Sequence, residues 1–160
     1  MNAIRVIVAD DETLLRDALE AILNLQPDIE VVAVASDGVE AIAQITHHKP
    51  DVAVLDLQMP GADGIEVTEK VSAASPSTRC MILTSHARPG YLKRSLAAGA
   101  RSFLPKTTSA DGLAKIIRRV HEGQRYVDPE LSAEAIAAGD SPLTPREADV
   151  LELAAEGAPI

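Results

Sequence analysis

Five short, nearly unbroken apolar runs, each followed by an amphipathic stretch, limit what this chain can fold into. "IRVIVA" (4–9), "EVVAVA" (30–35), "VAVL" (52–55), "CMILT" (80–84) and "SFLP" (102–105) read as strands. Strands apolar on both sides need cover on both sides, the condition of a parallel sheet between helical layers. The intervening stretches supply that cover: Leu15, Ala18, Leu19 and Ile22 recur at helical spacing, as do Leu113, Ile116, Ile117 and Val120. Asp37 with Glu40 marks the start of the second helix, Gly64 opens the third, residues 88–98 carry the fourth, and Ser109 caps the fifth. The alternation predicts an α/β, doubly wound, five-stranded parallel sheet.

The alternation stops near His121. Residues 122–142, "EGQRYVDPELSAEAIAAGDSP", are mixed in character and read as a linker with a helical turn or two in "PELSAEAIAA". A new helix is signalled by Thr144, Pro145 and Glu147, the spacing of a capping box with proline at the first helical position. One helix cannot bury its own apolar face, so 143–160 reads as the first part of a further domain. The expected organisation is 1–121, linker 122–142, and a domain fragment at 143–160.

Charge and cysteine content narrow the function classes. A net charge of −9 argues against this chain holding nucleic acid by itself. The single cysteine, Cys80, lies in the apolar run "CMIL" and reads as a buried structural thiol in a reducing compartment. No opening signal segment is seen and no apolar run reaches the roughly 20 residues of a membrane span, so a cytoplasmic location is expected.

In open α/β sheets ligands bind beyond the carboxyl ends of the strands. Strand 1 delivers Asp10, Asp11 and Glu12 to that edge, strand 3 Asp56, strand 4 Thr84 and Ser85, and strand 5 Lys106. Crowded carboxylates repel, and a hard divalent cation relieves the repulsion, so Mg²⁺ is the expected cofactor. The first turn, "DDET", has no glycine and would repel a pyrophosphate, which excludes a dinucleotide site. Gln58 stands two residues after Asp56, where a haloacid-dehalogenase-type phosphatase needs its second aspartate. An aspartate can itself accept a phosphoryl group. Asp56 is the candidate nucleophile, Lys106 and Thr84 the partners of the phosphoryl oxygens, and Asp10, Asp11, Asp56 and the Gln58 backbone carbonyl the metal ligands. Adjacent His47 and His48 read as a solvated face, and His86 as an exposed loop residue near the rim.

The segments "VADDE", "DVAVLDLQMPGADG", "ILTS" and "AGARSFLPK" together resemble, in order and spacing, the signature of two-component response-regulator receiver domains over residues 4–121. The resemblance implies a flavodoxin/CheY-like receiver fold with Asp56 as phosphoacceptor, Asp10 and Asp11 as metal-site acids, and Thr84, Lys106 and Phe103 as responding groups. Phe103 stands where many receivers carry a switch tyrosine, so the switch ring here has no hydroxyl. "SPLTPREADVLELAAEG" resembles the opening helix of the helix-turn-helix domain of the NarL/FixJ (LuxR-type) class, and "ARPGYLKRSLAAGA" with "VDPEL" is most similar to its DesR-like branch. This implies a sensor histidine kinase as phosphodonor and a homodimer on phosphorylation through helices 1 and 5, with the helix 4–strand 5–helix 5 face as the alternative. It also implies DNA as a partner of the full-length protein but not of this chain, with no direct membrane contact. Two other functions compete: an interaction module without phosphate turnover, against which the complete residue set argues, and a Mg²⁺-dependent hydrolase of external esters, which is not expected.

Overall fold

A computed structural model describes residues 2–85 and 88–137. The readings made on His86 and on 143–160 lie outside the described residues. The order of elements is β1 (Ile4–Ala9), α1 (Thr13–Asn24), β2 (Ile29–Ala35), α2 (Gly38–His48), β3 (Val52–Asp56), α3 (Gly64–Ala74), β4 (Arg79–Thr84), α4 (Pro89–Ala98), β5 (Ser102–Pro105), α5 (Ala110–His121), β6 (Tyr126–Val127) and α6 (Pro129–Ala137).

The strands form one parallel sheet in the order β2-β1-β3-β4-β5-β6. Alternate side chains of each strand feed opposite layers. Val6, Val8, Val54, Met81, Leu83 and Leu104 pack with α1 and α5, whereas Ile7, Ala53, Leu55, Ile82 and Phe103 pack with α2, α3 and α4. Each fully buried aliphatic side chain contributes about 1.5–3 kcal/mol relative to exposure, so this two-sided burial is the main term holding the sheet. The chain runs from β1 outward to β2, then crosses back to β3 on the other side of β1. The helices after β1 and β3 therefore leave toward opposite faces, opening a crevice at the carboxyl ends of these two strands.

Local signals account for the helix starts. The Asp37 carboxylate accepts from the Glu40 N–H at 2.8 Å, and the Ser109 hydroxyl accepts from the Gly112 N–H at 3.0 Å. Asp63 and Glu66 form a reciprocal capping box at the start of α3.

The five expected strands are present, but the sheet has a sixth, so the five-stranded expectation is one strand short. β6 is only two residues long and pairs Tyr126 with Ser102 and Val127 with Phe103. Two residues carry no readable periodicity; their pairing comes from the open edge of β5. The helical turns expected in the linker are a defined helix, α6. The Asp128 carboxylate accepts from the Glu130 and Leu131 N–H groups at 3.1 and 3.2 Å, and Leu131 and Ser132 are buried. Among the described residues no helix is long and apolar enough to cross a membrane.

Candidate functional site

The crevice receives its carboxylates from two adjacent strand ends. Asp10 follows β1 and Asp56 ends β3; they are 2 % and 4 % exposed, while Asp11 is open to solvent. Carboxylate oxygens of Asp10, Asp11 and Asp56 all lie within 4.8 Å of one another, the one such acidic, imidazole or thiol group of three among the described residues. His47 and His48 stack edge to face and take no part in it.

Lys106 reaches the same point from the loop after β5. Its ammonium donates to Asp56 Oδ2 at 3.0 Å and to Glu12 Oε1 at 2.8 Å, and it lies 3.1 Å from Asp10 Oδ2. The backbone aims it: the Lys106 N–H donates to the Thr84 carbonyl at 2.9 Å, tying the end of β5 to the end of β4. The Glu12 N–H donates to Asp10 Oδ1 at 2.8 Å, and the Gln58 N–H donates to Asp56 Oδ1 at 3.3 Å.

Burial sets the protonation balance. Loss of solvent raises the Asp56 pKa to about 6; the Lys106 hydrogen bond opposes the rise and the neighbouring Asp10 charge adds to it. For Lys106 burial works against the ammonium, but hydrogen bonds to Glu12, Asp56 and Asp10 outweigh it and raise the pKa, so the cation persists. The Cys80 thiol is pushed up to about 12 by burial, as an inert core thiol should be.

The structure thus gathers Asp10, Asp11, Asp56 and Lys106 into one cluster, with the Gln58 turn against it. Thr84 is buried at the same rim, one residue beyond the register partner of Asp56. Phe103 does not touch the carboxylates; its ring is 1 % exposed and belongs to the apolar layer shared with Leu96, Val127 and Leu131. Two contributors had no role assigned from sequence. Glu12, which the sequence delivers to the rim without a named role, is a direct partner of Lys106. Gly64 backs onto the phosphoacceptor candidate: a Cβ there would lie 2.6 Å from the Asp56 carbonyl oxygen.

The donor set fits a hard cation. All three acids offer oxygen, and they already converge on a positive charge, the Lys106 ammonium.

The family model for the response regulator receiver domain matches residues 6–118, and the chain belongs to that family. It is a receiver-domain response regulator, part of a two-component system that partners a sensor histidine kinase, and not an enzyme acting on external substrates. Its fold is the doubly wound CheY-like receiver with a helical extension. Among its relatives is the transcriptional regulatory protein DesR of Bacillus subtilis (strain 168), 39 % identical over 154 residues, covering 96 % of this chain and 76 % of DesR. The oxygen regulatory protein NreC of Staphylococcus epidermidis (strain ATCC 12228) is 36 % identical over 169 residues, covering 96 % of this chain and 78 % of its own. The signal receiver domain of NarL from Mycobacterium tuberculosis superposes with a TM-score of 0.75 at 34 % identity, over 78 % of this chain and all (100 %) of that one. The Salmonella typhimurium response regulator RcsB does so with a TM-score of 0.77 at 28 % identity, over 98 % of this chain and 79 % of that one.

Proposed function

We propose that Asp56 accepts a phosphoryl group from a phosphohistidine of a sensor histidine kinase. A carboxylate oxygen of Asp56 attacks phosphorus, the P–N bond to the imidazole breaks, and the imidazole leaves with that electron pair and takes up a proton. The observation that carries this reading is the buried Asp56 carboxylate facing Asp10 across the Lys106 ammonium, 3.0 Å away. Asp10, Asp11, Asp56 and the Gln58 carbonyl would hold Mg²⁺, which neutralises oxygens of a transferring phosphoryl group. Lys106, permanently charged, exchanges carboxylate oxygens for phosphoryl oxygens, and the Thr84 hydroxyl donates to the same group.

The switch follows from connectivity. Thr84 ends β4 and Lys106 follows β5, so drawing both toward the phosphoryl group disturbs Phe103 and the elements on it. Phosphorylation, which adds about −1.5 to −2 charge, then favours a homodimer through α1 and α5. In support, Leu14, Ala18, Ile22 and Leu25 form an exposed apolar stripe at helical spacing, Leu14 and Leu25 being 88 % and 80 % exposed. The alternative α4–β5–α5 face is partly covered by β6 and α6. We assign residues 1–121 to the receiver, 122–142 to the linker and 143–160 to a LuxR-type helix-turn-helix domain. The complete domain brings DNA under control in the cytoplasm.

Intact mass after incubation with a small phosphodonor and Mg²⁺ tests the assignment. One added phosphoryl group per chain is expected, absent in Asp56→Asn and suppressed by EDTA. Equal labelling of Asp56→Asn would overturn it, and rapid phosphate release without accumulation would favour the hydrolase.

A further inference from the structure

The sheet edge opposite Asp56 carries a second polar cleft, of about 440 Å³, whose lining includes Ser77, Thr78, Arg79, Arg101, Arg125 and one carboxylate, Asp51. We propose that this cleft binds a small phosphate-bearing anion, at a site separate from the phosphoacceptor.

Its construction follows from the topology. Arg79 opens β4, Arg101 directly precedes β5 and Arg125 directly precedes β6, and these three strands are neighbours in the sheet. The Arg101 N–H donates to the Cys80 carbonyl at 2.8 Å and the Tyr126 N–H donates to the Arg101 carbonyl at 3.0 Å. Neighbouring strands lie about 4.8 Å apart, so the register anchors Arg101 beside Arg125 on one face of the sheet, while Arg79, one position out of register, leaves toward α5 and lines the cleft from the other side. This concentration of positive charge occurs in a chain of net charge −9.

A purely structural use accounts for only part of it. Helix carboxyl ends gather at this edge and offer carbonyl groups to cations. Arg79 answers one of them, donating to the His121 carbonyl at 3.2 Å. Asp51, the single carboxylate on the lining, already accepts from the Arg5 N–H at 2.9 Å. The half-buried Arg101 guanidinium has no hydrogen-bond acceptor or carboxylate partner among the described residues. A partly desolvated guanidinium beside a second one on the same face of the sheet is an arrangement that an oxyanion completes. Arginine forks match phosphate oxygens, and the Ser77 hydroxyl extends the donor set, whereas those of Ser72 and Thr78 already donate to the Thr68 and Pro50 carbonyls at 2.8 and 2.7 Å. The lining offers no aromatic ring on which a base could stack, so recognition rests on the phosphate.

The test is a titration of the full chain with sodium pyrophosphate in EDTA at constant ionic strength, followed by amide ¹H–¹⁵N spectra. Saturable shifts are expected at Ser77, Gly99 and Arg101, with affinity lowered about tenfold or more in Arg101→Gln and unchanged in Lys106→Gln. Shifts confined to the Asp10–Asp56–Lys106 rim would overturn the proposal, as would non-saturating shifts or an unaltered response in Arg101→Gln. Tighter saturation of the same amides by an oligo-aspartate peptide than by pyrophosphate would also overturn it, pointing to an acidic protein partner.

Discussion

At Asp56 two demands meet, since a nucleophilic carboxylate must be ionised while its setting favours the proton. Its pKa near 6 lies above the ordinary carboxylate value, so between about pH 4 and 6 the folded state binds a proton more tightly than the unfolded one. The resulting destabilisation is absent below pH 4 and fully developed above about pH 6. In EDTA, Asp56→Asn should therefore be more stable than the parent at pH 7.5, by about 1–3 kcal/mol, with the difference closing toward pH 4. Urea melts at the two pH values check this; a gap that widens toward low pH would contradict it. Gly64 makes a different demand on the same residue. In Gly64→Ala the new methyl meets the Asp56 carbonyl, so a loss of about 1–3 kcal/mol and slower phosphoryl uptake are expected together. Thermal melting and the mass assay measure the two effects.

Among the elements, α3 and α6 differ in how they are held. α3 begins with its own capping box, and Ile65, Val67 and Val71 are buried beneath it. Asp63→Ala should cost about 1 kcal/mol, read as a lowered urea midpoint with unchanged slope. α6 depends on its neighbours: a two-residue strand leads into it, the Asp128 N–H donates to the Phe103 carbonyl at 3.1 Å, and Leu131 is its main buried anchor. Leu131→Asp should release it, so that amides of 129–137 lose hydrogen-exchange protection while those of β1, β3 and β4 keep theirs. Uniform loss across the sheet would mean that α6 is integral to the core. α5 is tied across the fold by Arg118, which donates to both carboxylate oxygens of Asp28 at 2.7 and 2.9 Å. Both partners are substantially exposed, so this bridge contributes no more than about 1 kcal/mol.

For the whole molecule the question is how a charge added at one edge reaches a partner surface. The chain should sediment as a heavier species with a phosphoryl mimic and Mg²⁺ than without. Leu14→Glu should abolish the shift by placing a charge in the apolar stripe of α1. A dimer that survives Leu14→Glu would move the interface to the α4–β5–α5 side, where α6 would have to undock. The same experiment on Leu131→Asp separates these outcomes, since release of α6 should favour only the second.

Much of this molecule is legible in its sequence because the signals are local. The strands stand out because burial on both faces leaves few polar positions, and the starts of α2 and α5 because Asp37 and Ser109 each satisfy an N–H three residues on. The acidic rim could be read because the winding of an α/β sheet sends every strand's carboxyl end to one edge. Only the tertiary structure decided the rest. Tyr126–Val127 is a strand because the edge of β5 was open, and Phe103 points inward because α4 and α6 enclose it. Glu12 belongs to the site because Lys106, 94 residues away, swings over to it. Arg79, Arg101 and Arg125 are scattered in the sequence and become one cleft only when β4, β5 and β6 align. Contacts between distant residues depend on strand order and register, which no short window of sequence carries.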